Sequence, residues 1–339
     1  MIVTIVCSYF LFSHTKYYNG KISDHFDGTR FFDPEFRDNK NFLDFLKWRF
    51  TAKSSDWPDK VQNNQFDLPP DRVMGSDLRV SYVGHVTFLI QTDGLNILTD
   101  PVWSDRASPV SFAGPERVID PGIKFENLPP IDLVWISHNH YDHLDLNTIE
   151  LLWKKHKPRI ITSFGNDSII KEYNSNIKVE AYDWGDQVVI NDNIKFHIEP
   201  MQHWSARGVL DRNKALWAAL NIETKSGNIY FIGDSGYGDG RYFKKAKDKF
   251  GKFRLALLPM GAYEPRWFMK YAHMNPEDMV KAHIDLGKPF TVPSHYDVFK
   301  LTDEPRGEAL VNLEKAKKDL GVGEMVKTLE VGQYEFVPM

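Results

Sequence analysis

Cysteine is nearly missing from this chain of 339 residues: Cys7 stands alone. One thiol excludes an intramolecular disulfide framework and any thiolate metal cage, so a metal would have to be held by histidine and carboxylate. Long apolar runs are equally scarce. Met1–Phe12 (MIVTIVCSYFLF) is nearly unbroken, but it falls short of the roughly 20 residues that span a bilayer. No positive charge precedes it, no small-x-small cleavage site follows it, and Val6 stands before Cys7 where a lipoprotein signal wants a small residue. Residues 1–22 therefore read either as a short membrane-attached leader or as an ordinary buried segment. No later run approaches spanning length, so the body of the chain reads as soluble. An excess of one charge is lacking too. Lys+Arg 42 against Asp+Glu 46 gives −4, which disfavours a broad basic surface and hence a nucleic-acid partner. There is no fixed-period repeat and no low-complexity segment.

What the chain does have is aromatic bulk. Its 23 Phe, 14 Tyr and 9 Trp can fill a sizeable core, which excludes global disorder. Residues 23–76 are polar and aromatic, broken by Pro34, Pro58 and Pro69-Pro70, and read as an arm packed on a main domain of residues 77–339. Within the arm Phe42, Phe45, Leu46 and Arg49-Phe50 recur at helical spacing. From Leu78 the texture turns to β-branched and aromatic runs, with Asp93-Gly94 as a hairpin turn into Asn96–Thr99. Further runs at 131–136, 160–162, 188–190, 194–198, 218–222, 229–232, 255–258 and 290–292 predict strands. Helical patterns follow Leu146, Ile149 and Leu152, and follow the Asn275-Pro276-Glu277 start signal. The class is α/β, and periodicity alone leaves the sheet topology open.

The strongest chemical signal is Ser137-His138-Asn139-His140-Tyr141-Asp142-His143, directly off the run Ile131–Ile136. In extended backbone i and i+2 point to one side, so His138 and His140 can converge on one ion. Asp142 and His143 are expected in the first turn of the following helix, serving a neighbouring ion. So dense a cluster beside an apolar strand would otherwise bury polar groups without partners. His203, Asp234 and His295 each stand just beyond the end of a predicted strand. If those strands lie side by side, seven ligands meet at one edge.

H-x-H-x-D-H after a strand, with a later His, Asp and His, resembles the metallo-β-lactamase superfamily. Gly84–Thr87, Leu98–Pro101, Arg106–Pro109, Leu128–Asp132, Gln202–Trp204, Asp211–Trp217, Gly233–Tyr237 and above all Gly261–Tyr271 (GAYEPRWFMKY) with His273 are similar to the N-acyl phosphatidylethanolamine-hydrolysing phospholipase D family. The resemblance implies an αββα sandwich preceded by an N-terminal arm. It implies one zinc held by His138, His140 and His203, and a second held by Asp142, His143 and His295, with Asp234 bridging; this donor chemistry also suits iron or manganese. Asp100 and His85 are the candidates for orienting ligands from behind. Two such cations about 3.5–4 Å apart can share a hydroxide and lower its pKa toward neutrality. The implied reaction is phosphodiester hydrolysis of phospholipase D type, releasing phosphatidic acid and an N-acylethanolamine or other alcohol. Asp142, Asp234 and His273 are the catalytic candidates; Tyr141, Tyr263, Arg266, Trp267 and His273 are the substrate-side candidates. Ala272 departs from the family, standing where mammalian relatives carry an amide. A phospholipid surface and a homodimer are the implied partners, and membrane-associated, cytoplasmic and periplasmic locations stay open. Two other readings compete: a metal-dependent hydrolase of a small soluble substrate such as a lactone, and a lipid-binding protein with structural metals.

Overall fold

Apolar residues occupy both phases of the strand alternation from Leu78 onward, which is the pattern of sheets covered on both faces. The computed structural model, which describes residues 17–339, has that arrangement. The reading of Met1–Phe12 lies outside the described residues. Strands β1 (Leu78–Gly84), β2 (Thr87–Thr92), β3 (Leu95–Thr99), β4 (Leu133–Ile136), β5 (Arg159–Ser163), β6 (Val179–Tyr182) and β13 (Tyr334–Phe336) form a seven-stranded sheet in the order β13-β1-β2-β3-β4-β5-β6. The second sheet has six strands, ordered β12-β11-β10-β9-β8-β7, from β7 (Gln187–Val189), β8 (Ile194–Glu199), β9 (Ala219–Thr224), β10 (Asn228–Phe231), β11 (Phe253–Pro259) and β12 (Phe290–Ser294).

Alternation sorts the two faces. Ile97, Leu133, Trp135 and Ile161 join Phe196, Ile198, Leu220 and Phe231 in one continuous core. Leu98, Val134, Ile136 and Ile160 point the other way and are covered by Leu146, Ile149 and Leu152 of α2 (Leu146–His156) and by Ile169 and Ile170 of α3 (Asn166–Tyr173). The second sheet is covered by α4 (Arg241–Phe250) and α6 (Pro276–Asp285), through Phe243, Ala246, Met279 and Val280, with α7 (Glu308–Asp319) adding Leu313. The fold is an αββα sandwich. Among the described residues no helix is long and apolar enough to cross a membrane.

Strand direction decides where the site can lie. β3, β4, β5 and β6 run parallel, so the C-terminal ends of β3 and β4 share an edge. β10, β11 and β12 are parallel as well. β8 is antiparallel to β9, which is antiparallel to β10, so the end of β8 comes out beside the ends of β10 and β12. Asp100, the 137–143 turn, His203, Asp234 and His295 all follow these ends.

The arm carries one helix, α1 (Phe42–Thr51), started by a capping box in which Asn41 accepts from the amides of Leu43 and Asp44 while Asp44 accepts from the amide of Asn41. The arm is tied to the sandwich by polar side chains. Arg72 grips Asp132 with two nitrogens at 2.7 and 3.0 Å, and the Trp48 indole donates to Asp303. His25 is buried, stacked on Trp184 and flanked by Asp24 and Asp183, each at 2.7 Å. Burial works against its charge, but the bonds to Asp183 and Asp24 outweigh it and lift its pKa above the ordinary 6.5.

A group whose folded pKa is raised contributes its full stabilisation below its unfolded pKa and loses it as pH rises through the folded value. Wild type is therefore expected to melt higher below about pH 6.5, relative to Asp183→Asn, than it does in mildly alkaline buffer. Thermal unfolding across that range reads the difference, which should be about 1–3 kcal/mol on the acid side, typical of a hydrogen bond to a charged group.

Candidate metal centre

Each ligand-type residue of the site leaves a strand end through an abrupt turn, and three of the turning residues pay in backbone strain. Asp100 (φ 35°), His85 (φ 59°) and His295 (φ 64°) sit in left-handed conformations that side-chain-bearing residues seldom adopt away from functional sites. The His295 amide donates to the carbonyl of His85 at 2.8 Å. The His295 carbonyl in turn passes so close to Gly261 that a Cβ there would lie 1.6 Å from the oxygen. Asp142 and His143 differ from expectation in one respect. They occupy a turn rather than the first turn of α2, which begins at Leu146 with Asp145 as its N-cap.

Two groups of donors result. In the first, His138 Nε2 and His203 Nε2 lie 2.9 and 3.2 Å from His140 Nδ1. In the second, Asp142 Oδ2 lies 2.8 Å from His85 Nε2, 3.3 Å from His295 Nε2 and 3.4 Å from His143 Nε2. Asp234 Oδ2 reaches both groups, at 3.1 Å from His143 Nε2, 3.1 Å from His295 Nε2 and 3.7 Å from His203 Nε2. His273 Nδ1 lies 3.8 Å from the same oxygen. The seven side chains singled out in the sequence are thus brought together. The floor is buried, whereas His140, Asp142 and His273 are partly exposed and form the rim.

The partners behind the imidazoles set which nitrogen carries the proton. His143 Nδ1 donates to Asp100 Oδ2 at 2.8 Å, and Asp100 also accepts from the Ser137 hydroxyl and amide at 2.6 and 2.7 Å. Because Ser137 Oγ spends its proton on Asp100, it accepts from His138 Nδ1 at 2.9 Å. His203 Nδ1 donates to the carbonyl of Ala272 at 3.0 Å. In the neutral rings the Nε2 atoms of His138, His143 and His203 are therefore bare lone pairs facing the centre, the arrangement metal-binding histidines require. Burial, reinforced by neighbouring imidazoles, pushes His138 far down; burial is also the main force holding His140 and His203 down at about 3.

The second group has the opposite tendency. Burial would raise Asp142 and Asp234, yet His143 beside the first and His295 and His143 beside the second hold both carboxyls well below the usual range. The two carboxylates in turn overcome burial and lift His143 well up and His295 to about 9. This half of the cluster therefore draws positive charge. His140 Nε2, His273 Nδ1 and Asp234 Oδ1 are buried atoms without a hydrogen-bond partner. Donors around one zinc at about 2.0–2.1 Å stand roughly 3.3 Å apart at tetrahedral angles, close to the spacing of the first group. The residues present fit metal ions.

The substrate-side candidates fall into different places. His273 is on the rim, with burial holding it at about 3 and hence neutral. Tyr263 is buried with its hydroxyl donating to Glu308 at 2.7 Å. Arg266 bridges the His273 carbonyl (2.9 Å) and Asp278 (2.6 Å) at the start of the short helix α5 (Arg266–Met269). Trp267 is exposed, with the ammonium groups of Lys40 and Lys47 over its ring. Tyr141 lies face-on beneath the Arg207 guanidinium and lines a cleft of about 750 Å³ with Trp103 and Tyr173. Sequence reasoning gave no role to Ser137, to Trp204, whose ring packs edge-on to His140 at 4.4 Å, or to Arg207. Ser137 stands in the sequence between strand end and first ligand, and Trp204 within the family stretch Gln202–Trp204, whereas Arg207 lies between the stretches that carry the resemblance.

Comparison with known proteins agrees with this geometry. The family model described as beta-lactamase superfamily domain matches residues 95–296. The chain is 36% identical over 272 residues to N-acyl-phosphatidylethanolamine-hydrolyzing phospholipase D 1 of Caenorhabditis elegans, covering 76% of this chain and 75% of that protein. It is 34% identical over 248 residues to the mitochondrial N-acyl-phosphatidylethanolamine-hydrolyzing phospholipase D of Saccharomyces cerevisiae, covering 72% of this chain and about half (52%) of the yeast protein. Among solved structures, Igni18, a metallo hydrolase of Ignicoccus hospitalis, superposes with a TM-score of 0.56 at 19% identity, covering 78% and 99% of the two chains. The isothiocyanate hydrolase from Delia radicum gut bacteria superposes at 0.57 and 18%, covering 76% and 98%. These two likenesses are of fold.

Replacing Asp100 with Asn removes the charge behind His143 while keeping its shape. Metal affinity is expected to fall about 10–100-fold with little change in the melting of metal-free protein, read by competition with a chromophoric chelator. Gly261→Ala should displace the His295 main chain, destabilising the protein by several kcal/mol, in the range of overpacked cores, and weakening metal uptake at once.

Proposed function

Because the chain belongs to the beta-lactamase superfamily, is 34–36% identical to two N-acyl-phosphatidylethanolamine-hydrolysing phospholipases D, and is a metal-dependent hydrolase, we propose that it cleaves the phosphodiester of a phospholipid in phospholipase D fashion with two zinc ions. The observation that carries the reading is Asp234, whose one carboxylate oxygen reaches donors of both groups while three rim side chains stay accessible. Structural zinc sites are closed by four protein ligands; an accessible rim is what a catalytic site needs.

His138, His140 and His203 would hold one ion, and Asp142, His143 and His295 the other, with Asp234 between them and His85 steadying Asp142. Bound there, a pair of divalent cations supplies Lewis-acid polarisation of a phosphoryl oxygen and water acidic enough to attack near neutral pH. The protein's own contribution is orientation and charge. Asp100, Ser137 and the Ala272 carbonyl hold the imidazoles so that no donor has to reorganise as charge develops on the phosphoryl group. Two dications would exceed the three carboxylates Asp142, Asp234 and Asp100 by one charge, which deprotonation of the attacking water would offset, so a phosphodiester anion would meet a centre with no excess of negative charge. His273, neutral on the rim, can hydrogen-bond a substrate oxygen without adding charge. Trp267, exposed with Lys40 and Lys47 over its ring, is the combination that suits the boundary between headgroups and acyl chains, and a phospholipid surface is the partner this reading requires.

Incubating the protein with vesicles containing N-acyl phosphatidylethanolamine should yield phosphatidic acid and N-acylethanolamine by mass spectrometry, and a chelator should abolish both. Asp234→Asn should lower turnover by at least about 100-fold, since loss of an outer partner alone costs 10–100-fold. Rapid turnover of soluble lactones by fully loaded protein that leaves every glycerophospholipid intact would refute the lipid assignment.

A further inference from the structure

The donors of the first group come from two pieces of chain that no sheet ladder joins. His138 and His140 belong to the turn after β4, His203 to the loop after β8. The turn is closed on itself by the amides of His143 and Leu144 returning to His140 O, and at its start Ser137 O accepts at 3.0 Å from the amide of Ala218, just ahead of β9 in the second sheet. Two of its carbonyls, those of Asn139 and Leu144, go elsewhere. Both accept from one nitrogen, Nη1 of Arg207, at 2.9 and 2.8 Å.

Arg207 stands four residues after His203 in a loop that is itself rigidly built. Its amide donates to Asp211 Oδ2 at 3.0 Å, the Gly208 amide donates to Asp211 Oδ1 at 2.8 Å, and the Tyr17 hydroxyl donates to Asp211 Oδ2 at 2.5 Å. The Ser205 hydroxyl donates to the Ala215 carbonyl. The guanidinium is buried, and its carbon lies 3.9 Å from the centre of the Tyr141 ring, whose hydroxyl returns a bond to the Arg207 carbonyl at 2.9 Å. Tyr141 therefore engages the loop rather than the centre. One nitrogen with two hydrogens thus spans a carbonyl inside the H-x-H segment and a carbonyl just past His143.

We propose that Arg207 is a positioning residue that locks the ligand-bearing turn after β4 to the loop carrying His203, fixing the spacing at which imidazoles from the two sheets meet one cation. The proposal rests on the metal-binding part of the function above and is independent of the substrate. Ligand spacing is the property at stake. An imidazole held a fraction of an ångström too far away must be pulled in at the expense of binding free energy, and partners behind metal ligands commonly set affinity by one to two orders of magnitude.

The test is cobalt titration of metal-free wild type, Arg207→Met and Arg207→Lys, read by the visible d–d spectrum and by competition for the dissociation constants, with circular dichroism and melting of the metal-free forms alongside. Arg207→Met should bind cobalt about 10–100-fold more weakly, with an altered spectrum. Arg207→Lys should recover part of the loss, since its ammonium keeps the charge but is shorter and has no plane to lie on Tyr141. A folded Arg207→Met with wild-type affinity and spectrum overturns the proposal and leaves the metal reading standing. Wild type that takes up no cobalt overturns the metal reading itself. If Arg207→Met does not fold, Arg207→Lys decides: wild-type affinity there overturns the brace.

Discussion

Asp142 and Asp234 are carboxylates held against the same two imidazoles, His143 and His295, the one largely and the other almost wholly withdrawn from water, and most of what surrounds them answers that fact. An ionised carboxylate taken from water into protein interior is costly unless a positive partner compensates it. Here the partners are imidazoles with protons or lone pairs already assigned by groups behind them: Asp100 for His143, Ser137 for His138, and the Ala272 carbonyl for His203. The cluster is built for positive charge at its middle, and a metal ion satisfies it better than a proton because several donors can share it.

The sandwich makes this concentration affordable. Parallel runs within each sheet bring strand ends to one edge, so residues distant in sequence arrive there with their side chains free and their backbones already hydrogen-bonded. Strain is confined to the residues that turn the chain, and the ladders behind them are long enough to hold Asp100, His85 and His295 in conformations they would not choose in isolation. Substrate chemistry then depends on the rim and the loops beyond it, which can vary without disturbing the frame.

Much of this was legible in the sequence, for a physical reason. Strands buried on both faces leave unbroken β-branched runs, and helices with a clear apolar stripe and cap, such as α1, α2 and α6, leave spacing and punctuation. Helix α4 (RYFKKAKDKF) escaped because five of its ten residues are basic and one more is acidic, leaving Tyr242, Phe243 and Ala246 as its buried face. Strand β6 escaped because only Val179 of its four residues is buried. At the site, a ligand beyond an apolar run is visible to the eye. The carbonyls of Ala272, Asn139 and Leu144 are not, because a main-chain acceptor has no letter of its own. For the same reason Arg266 looks like a substrate contact in one dimension, although its guanidinium is engaged by the His273 carbonyl and Asp278 in three.

The centre draws on segments as early as His85 and as late as His295, divided between two sheets. During synthesis the histidine-rich turn therefore emerges long before Asp234 and His295 exist to complete it. A nascent chain presents an open, incomplete chelate, and full-strength capture must await the closing of the last strand against its neighbours. Cofactor acquisition is in this sense a late quality check: only a polypeptide whose two halves have docked in register offers the complete set of donors.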